Sequence, residues 1–186
     1  MSATEDLLQD HVFIRRLQTV IEKCYAYLNE SRDVPVGDII KIADIIEQFV
    51  DQFHHSKEES GYFPEAENRE EDHFSDEIRK FVIEHEFGRR IAKRIRIHLE
   101  EYLQGKDAKE PLARYLKTYS VFIQDHTSKE DRFFTDVKER RLLSNEEERA
   151  LKQEFERMRH ECMRKSSGNL VEMLAQLESA EWARPS

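Results

Sequence analysis

At 186 residues the chain is long enough for one ordinary domain with a real core. Hydrophobic residues make up 38% and charged residues 37%, with only five Gly and four Pro, too few turn formers for an all-β fold and suited to long amphipathic helices. A net charge of −9 argues against nucleic acid as a partner, and no apolar run nears the roughly 18 residues of a membrane span, so no membrane partner is expected either.

Hydrophobic periodicity divides the chain into five helical segments. Segment one runs from about Thr4 to Asn29. Leu7, Ile14, Ile21 and Leu28 recur every seven residues with Leu17 and Cys24 between them, and His11 sits on the same stripe. A connector with Pro35 and Gly37 leads to segment two, about Asp38 to Ser60, whose stripe is Ile39, Ala43, Ile46, Val50, His54 and Glu58. Gly61-Tyr62-Phe63-Pro64 is expected to end it. Segment three, about Asp72 to Leu103, carries Phe74, Ile78, Phe81, His85, Gly88, Ala92, Ile95, Leu99 and Tyr102 in alternating steps of four and three. Pro111 suits the first turn of segment four, striped by Leu112, Leu116, Tyr119, Ile123, His126, Glu130, Phe133 and Val137. Segment five opens at Ser144, where Ser144 and Glu147 form a capping-box pattern, and Ser166-Ser167-Gly168-Asn169 is placed to kink or break it. The expectation is an all-α fold: a four-helix bundle over residues 1–140, and a C-terminal helical extension over 141–186 that packs on the bundle or serves a homodimer or a regulatory partner.

Each of the first four segments carries a His on its buried stripe: His11, His54, His85 and His126. Two add a carboxylate one turn later, Glu58 and Glu130. Burying carboxylates beside imidazoles with no cation is costly, and a metal removes that cost. Segments two and four also echo one another as His54-His55-Ser56-Lys57-Glu58-Glu59 and His126-Thr127-Ser128-Lys129-Glu130-Asp131. Imidazole with carboxylate suits iron, manganese or zinc, and a two-metal centre is the economical use of four His and two Glu. The stripe favours His54 and Glu58 as the inward pair. His55 is one residue round and stays open as a ligand. Glu59 lies on a polar line through Gln48, Asp51 and Gln52. His73, His98 and His160 have no matching carboxylate on an apolar stripe and read as surface residues. Cys24 and Cys162 form no CxxC motif and no disulfide framework, and the acidic N-terminus lacks a signal-peptide core, so a cytoplasmic setting is expected.

At these residues the sequence resembles the hemerythrin-like (HHE cation-binding) family. The resemblance covers about residues 7 to 138. It rests on Asp10-His11, on the block from His54 to Pro64, on His85-Glu86 with Gly88-Arg89, and on His126 with Glu130. It implies an up-down-up-down bundle around an oxo- or hydroxo-bridged di-iron centre, with His11, His54, Glu58, His85, His126 and Glu130 as ligands. Oxygen carriers of the family have a second His four residues on in helix three, where this chain has Arg89. That leaves either an iron with an open position near Arg89 or His55 as the replacement ligand. They also have Asp five residues after the helix-four His. Asp131 meets that spacing, but Glu130 lies on the better stripe. The implied function is binding of iron, with O2 or a small oxidant or anion meeting the metal, for sensing, storage or redox response. A di-iron peroxidase, oxidase or NO-processing enzyme and an iron- or redox-sensing module are the alternatives, with binding favoured over catalysis.

Overall fold

A computed structural model describes residues 1–30, 32–67, 72–166 and 168–184, the side chains of Asp72 and His73 excepted. The expected surface position of His73 therefore lies outside the described residues. The elements are α1 (Ala3–Asn29), α2 (Val36–Ile45), α3 (Phe63–Glu67), α4 (Asp72–Leu103), α5 (Lys109–Glu139), α6 (Asn145–Lys165) and α7 (Leu170–Ser179), with a 3₁₀ turn at Glu181–Ala183. Among the described residues there is no strand, and no helix is long and apolar enough to cross a membrane.

Helix α1 begins one residue before the expected start because Ser2 and Glu5 cap it reciprocally. The Ser2 hydroxyl accepts the Glu5 N–H at 3.2 Å and the Glu5 carboxylate accepts the Ser2 N–H at 3.0 Å. The same device starts α6 at Ser144 and Glu147, as the sequence indicates. Between α6 and α7 the expected break is present, with the Asn169 side chain accepting from the Val171 and Glu172 N–H groups.

The second bundle helix departs from expectation. It does not stop at Gly61–Pro64 but runs continuously from α2 into α3 over residues 36–67, through two π-helical stretches, Ile46–His55 and Glu58–Tyr62. The Phe63 N–H donates to the Glu58 carbonyl five residues back. Proline breaks an α-helix because it lacks an N–H and its ring meets the carbonyl four residues back. The wider turn just ahead of Pro64 moves that carbonyl, so the helix passes through.

Contacts fix the direction of each helix. Thr4 hydrogen-bonds to Tyr62 at 2.7 Å, Arg96 pairs with Asp44, His126 with Glu84, and Ser120 with Glu22. Early residues of each element thus meet late residues of its neighbour, giving the up-down-up-down order. The stripes make two separate apolar cores. One joins Ile14, Leu17, Ile21, Val50, Ile95, Leu116 and Ile123; the other joins Leu7, Tyr62, Phe63, Phe74, Phe81, Phe133 and Phe134. Between them, at residues 11, 54–58, 85 and 126–130, lies a layer of buried His and Glu. Helix α6 packs on α1 and on both π-helical stretches, while α7 packs on α2 and α1.

Candidate metal centre

The layer between the two cores holds every sequence-derived site residue. His11, His54, His55, Glu58, His85, His126 and Glu130 are all buried, with at most 2% of each exposed. His98 is partly exposed beside Glu101 and His160 is exposed, in keeping with surface roles. Donor atoms gather into two sets. His11, His54, Glu58 and Glu130 form one, and His55, His85 and His126 form the other.

The two carboxylates join the sets. Glu58 turns Oε1 to His54 Nε2 at 3.2 Å and to His11 Nε2 at 3.9 Å, and Oε2 to His85 Nε2 at 3.4 Å. Glu130 turns Oε2 to His11 Nε2 at 3.4 Å, and Oε1 to His85 Nε2 at 3.3 Å and His126 Nε2 at 3.2 Å. Each carboxylate therefore offers one oxygen to each set. Donors about 2.1 Å from one cation and at right angles to each other lie roughly 3 Å apart, so these spacings suit shared metal ions.

The outer nitrogens fix the imidazole tautomers. The Nδ1–H of His11 donates to Asp131 at 2.7 Å, that of His85 to Glu59 at 2.6 Å, that of His126 to Glu84 at 2.9 Å, and that of His54 to Asp10 at 3.3 Å. An ionised carboxylate can only accept, so the Nε2 atoms turn inward. His11 Nε2 and His54 Nε2 face each other at 3.1 Å. Two bare lone pairs at that distance repel unless a proton or a cation lies between them. Six further inward or buried atoms have no hydrogen-bond partner: both ring nitrogens of His55, both Glu58 oxygens, His126 Nε2 and Glu130 Oε2. Buried polar atoms without partners are costly. The donor set fits metal cations on that ground.

The electrostatics agree. Burial alone would lower the His54 pKa, but Glu58 and Asp10 outweigh it and raise it to about 9. His85 is likewise lowered by burial but raised to about 10 by Glu130 and Glu59. Burial, together with the neighbouring His85, His54 and His126, pushes His55 well below the ordinary imidazole value. Burial works to raise Glu130, yet His126, His11 and His85 hold it well below the usual carboxylate range. Protons on His54 and His85 thus supply positive charge that a cation would otherwise supply.

A family model for the hemerythrin HHE cation binding domain matches residues 2–137. This chain belongs to the hemerythrin family. No curated protein and no solved structure matches it. Helix α6 lies outside the hemerythrin match.

Within the hemerythrin frame, two readings of the sequence change. Periodicity ranks His55 behind His54, yet His55 is fully inside, stacked on His85 with ring centroids 3.9 Å apart and 12° between the planes. The cause is the π-helical stretch that ends at His55. In an α-helix successive residues diverge by about 100°, and a wider turn brings them closer to one face. Arg89 does not border the donor sets. Its guanidinium pairs with Asp51 and Glu59 at 2.6 and 2.7 Å and with Glu86 at 2.6 Å, and Glu59 in turn accepts the Nδ1–H of His85. His55, from the second bundle helix, instead joins His85 and His126 in one donor set.

Sequence reasoning missed the ring of outer acids, although a signal was present. Asp10-His11 with Arg15 in α1 matches Glu84-His85 with Arg89 in α4, and the segment-two and segment-four echoes complete a pseudo-two-fold site. His54 and Lys57 both donate to Asp10, while His126 and Lys129 both donate to Glu84. His11 and Arg15 share Asp131, and His85 and Arg89 share Glu59. Among the inward-facing imidazole positions the symmetry fails at one. His55 has Thr127 as its counterpart, and the Thr127 hydroxyl donates to the Ile123 carbonyl at 2.9 Å.

Proposed function

We propose that this hemerythrin-family protein is a non-haem di-iron protein of the cytoplasm that binds iron and meets O2 or a related small oxidant there, for sensing, storage or redox response. The single observation behind this is the pair of buried carboxylates, Glu58 and Glu130, each dividing its two oxygens between two imidazole sets. His11 and His54 would hold one ion and His55, His85 and His126 the other, with both Glu in common. Iron supplies reversible one-electron chemistry and Lewis acidity toward small ligands. Neutral imidazoles outnumber carboxylates, which keeps the site less anionic than a carboxylate-rich one. Phe134 against His11, Phe63 against His85, and Phe122 against His126 keep the layer dry. Manganese or zinc also suits the donors, and oxidant binding distinguishes iron from zinc. Two unpaired cysteines, Cys24 and Cys162, suit a reducing compartment.

The break in symmetry supports a place for the small ligand. With Thr127 opposite His55, the His11/His54 set has one imidazole fewer than its partner set. The same vacancy favours a second reading, turnover of peroxide or NO, which steady-state assays of iron-loaded protein and of His54→Ala would reveal. The decisive test of the first reading is anaerobic loading with Fe(II), followed by metal analysis and Mössbauer spectroscopy before and after exposure to O2. Two irons per chain with exchange coupling after oxidation is the expected result, and one isolated iron, or none, would refute it.

The outer acids make a separate prediction. Glu59 accepts the Nδ1–H of His85 without facing either donor set. Glu59→Gln is expected to weaken iron binding by about 10- to 100-fold, because such partners orient the ring and raise its basicity. Competition against a calibrated chelator measures it, and an unchanged affinity would remove Glu59 from that role.

A further inference from the structure

Helix α6, beyond the family match, lies on the outside of the unusual part of the second bundle helix. It packs on both π-helical stretches as well as on α1. Gly61, in the second π-helical stretch, has no side chain, and a Cβ at that position would stand 3.1 Å from Phe155 and 3.5 Å from Leu151 of α6. Phe155 is fully buried, with the Lys57 ammonium 4.9 Å from its ring centre. The Arg159 guanidinium lies 5.4 Å from the ring centre of Phe53, the residue before His54. The Cys162 thiol donates to the Gln48 carbonyl at 3.6 Å, in the first π-helical stretch.

A charge cluster reinforces this contact. Lys57 is fully buried and donates to Asp6 at 2.6 Å and also to Asp10. Asp6, itself 2% exposed, accepts from Lys152 at 3.2 Å and from Arg159 at 3.1 Å, both on α6. Asp10 in turn accepts from His54. A salt-bridged chain thus runs from α6 through α1 and the second helix to a candidate ligand.

A π-helical stretch is less stable than the α-helix that it replaces and persists only where something holds it. Here it is the stretch that turns both His54 and His55 inward. An α register would spread the two further apart around the helix, at about 100° per residue. The geometry points to α6 as a brace: Phe155, Lys152 and Arg159 hold the π register from outside and so position His55 for the second metal ion. This rests on the two-metal reading above. Cations in the layer and α6 on the outside favour the same register, so by linkage each strengthens the other.

The test uses the full chain and anaerobic Fe(II) as the probe. Stoichiometric titration is paired with hydrogen exchange of residues 46–62 and 145–165. The Phe155→Ala/Arg159→Ala variant is compared with Leu174→Ala, which disturbs the core under α7 and leaves the brace intact. The expected result has three parts. Wild type binds two irons and its α6 exchanges more slowly when loaded. The brace variant binds its second iron roughly tenfold more weakly and exchanges faster over residues 46–62. Leu174→Ala keeps both irons. Arg159→Lys in place of Arg159→Ala should restore part of the loss. Two tightly bound irons in the brace variant, or an equal loss in Leu174→Ala, would overturn the brace while leaving the metal reading intact. Failure of wild type to bind iron would overturn both.

Discussion

Glu130→Ala is expected to leave at most one tightly bound iron per chain and to lower stability by about 3–5 kcal/mol, the cost of breaking a buried ion pair by removing one partner. Glu130 is fully buried and faces three imidazoles from three helices, His11 of α1, His85 of α4 and His126 of its own α5. Its removal takes one oxygen from each donor set at once. It also strips the raised His85 of the first of the carboxylates that keep its proton on. Glu130→Gln separates the two effects. The amide keeps the volume and one acceptor, but it turns an N–H₂ group toward an imidazole lone pair that has its own Nδ1–H committed outward. It should therefore recover part of the stability and little of the second iron. Metal analysis after gel filtration reads the stoichiometry and urea unfolding reads the stability. Two irons retained at wild-type affinity in Glu130→Ala would show that the carboxylate does not bridge.

The parts of the site legible from the sequence are those that an α-helical stripe can express. His11, His54, His85 and His126 fall on their stripes in steps of three and four, with Glu58 and Glu130 one turn on. The bundle and its two apolar cores follow from the same stripes. His55 was the hard case because its line passes through Gln48, Asp51 and Gln52 in an α register, and a local widening of the helix has no period of its own. The run-on through Pro64 was hidden for the same reason, since proline punctuates an α-helix and here follows a π turn. The outer acids were illegible by periodicity because they flank the stripe: Asp10 and Glu84 each precede a stripe His, and Glu59 and Asp131 each follow a stripe Glu. Their pattern emerges only when α1 is compared with α4 as well as segment two with segment four. Lys57 belongs to this group. Its counterpart Lys129 reaches solvent, and nothing in the echo itself indicated that Lys57 would be fully buried between Asp6 and Asp10.

Removing the metal should cost more stability as pH rises. In the metal-free protein the His54 and His85 pKa values are raised to about 9 and about 10, above the ordinary imidazole value. A group whose folded pKa is raised contributes stability that is fully present below its unfolded pKa, about 6.5, and that is lost as pH climbs through the folded value. The metal-free protein therefore holds this contribution in full below about pH 6.5 and loses it progressively up to pH 9 to 10, when unprotonated Nε2 atoms are left facing one another and two carboxylates. Bound iron would take the place of those protons, so the loaded protein is expected to keep this contribution over the same range. Loading also has to expel the protons, which makes the affinity for iron rise with pH across the same window. With free iron held about a thousandfold above its dissociation constant, the loaded form gains roughly 4 kcal/mol. At about 2–4 °C per kcal/mol for a chain of this size, the melting temperatures should differ by roughly 8–16 °C near neutrality and by more at about pH 9. Thermal unfolding of chelator-treated and iron-loaded protein at three pH values checks this. A gap that stays constant or narrows with pH would mean that the imidazole protons are not what the metal replaces.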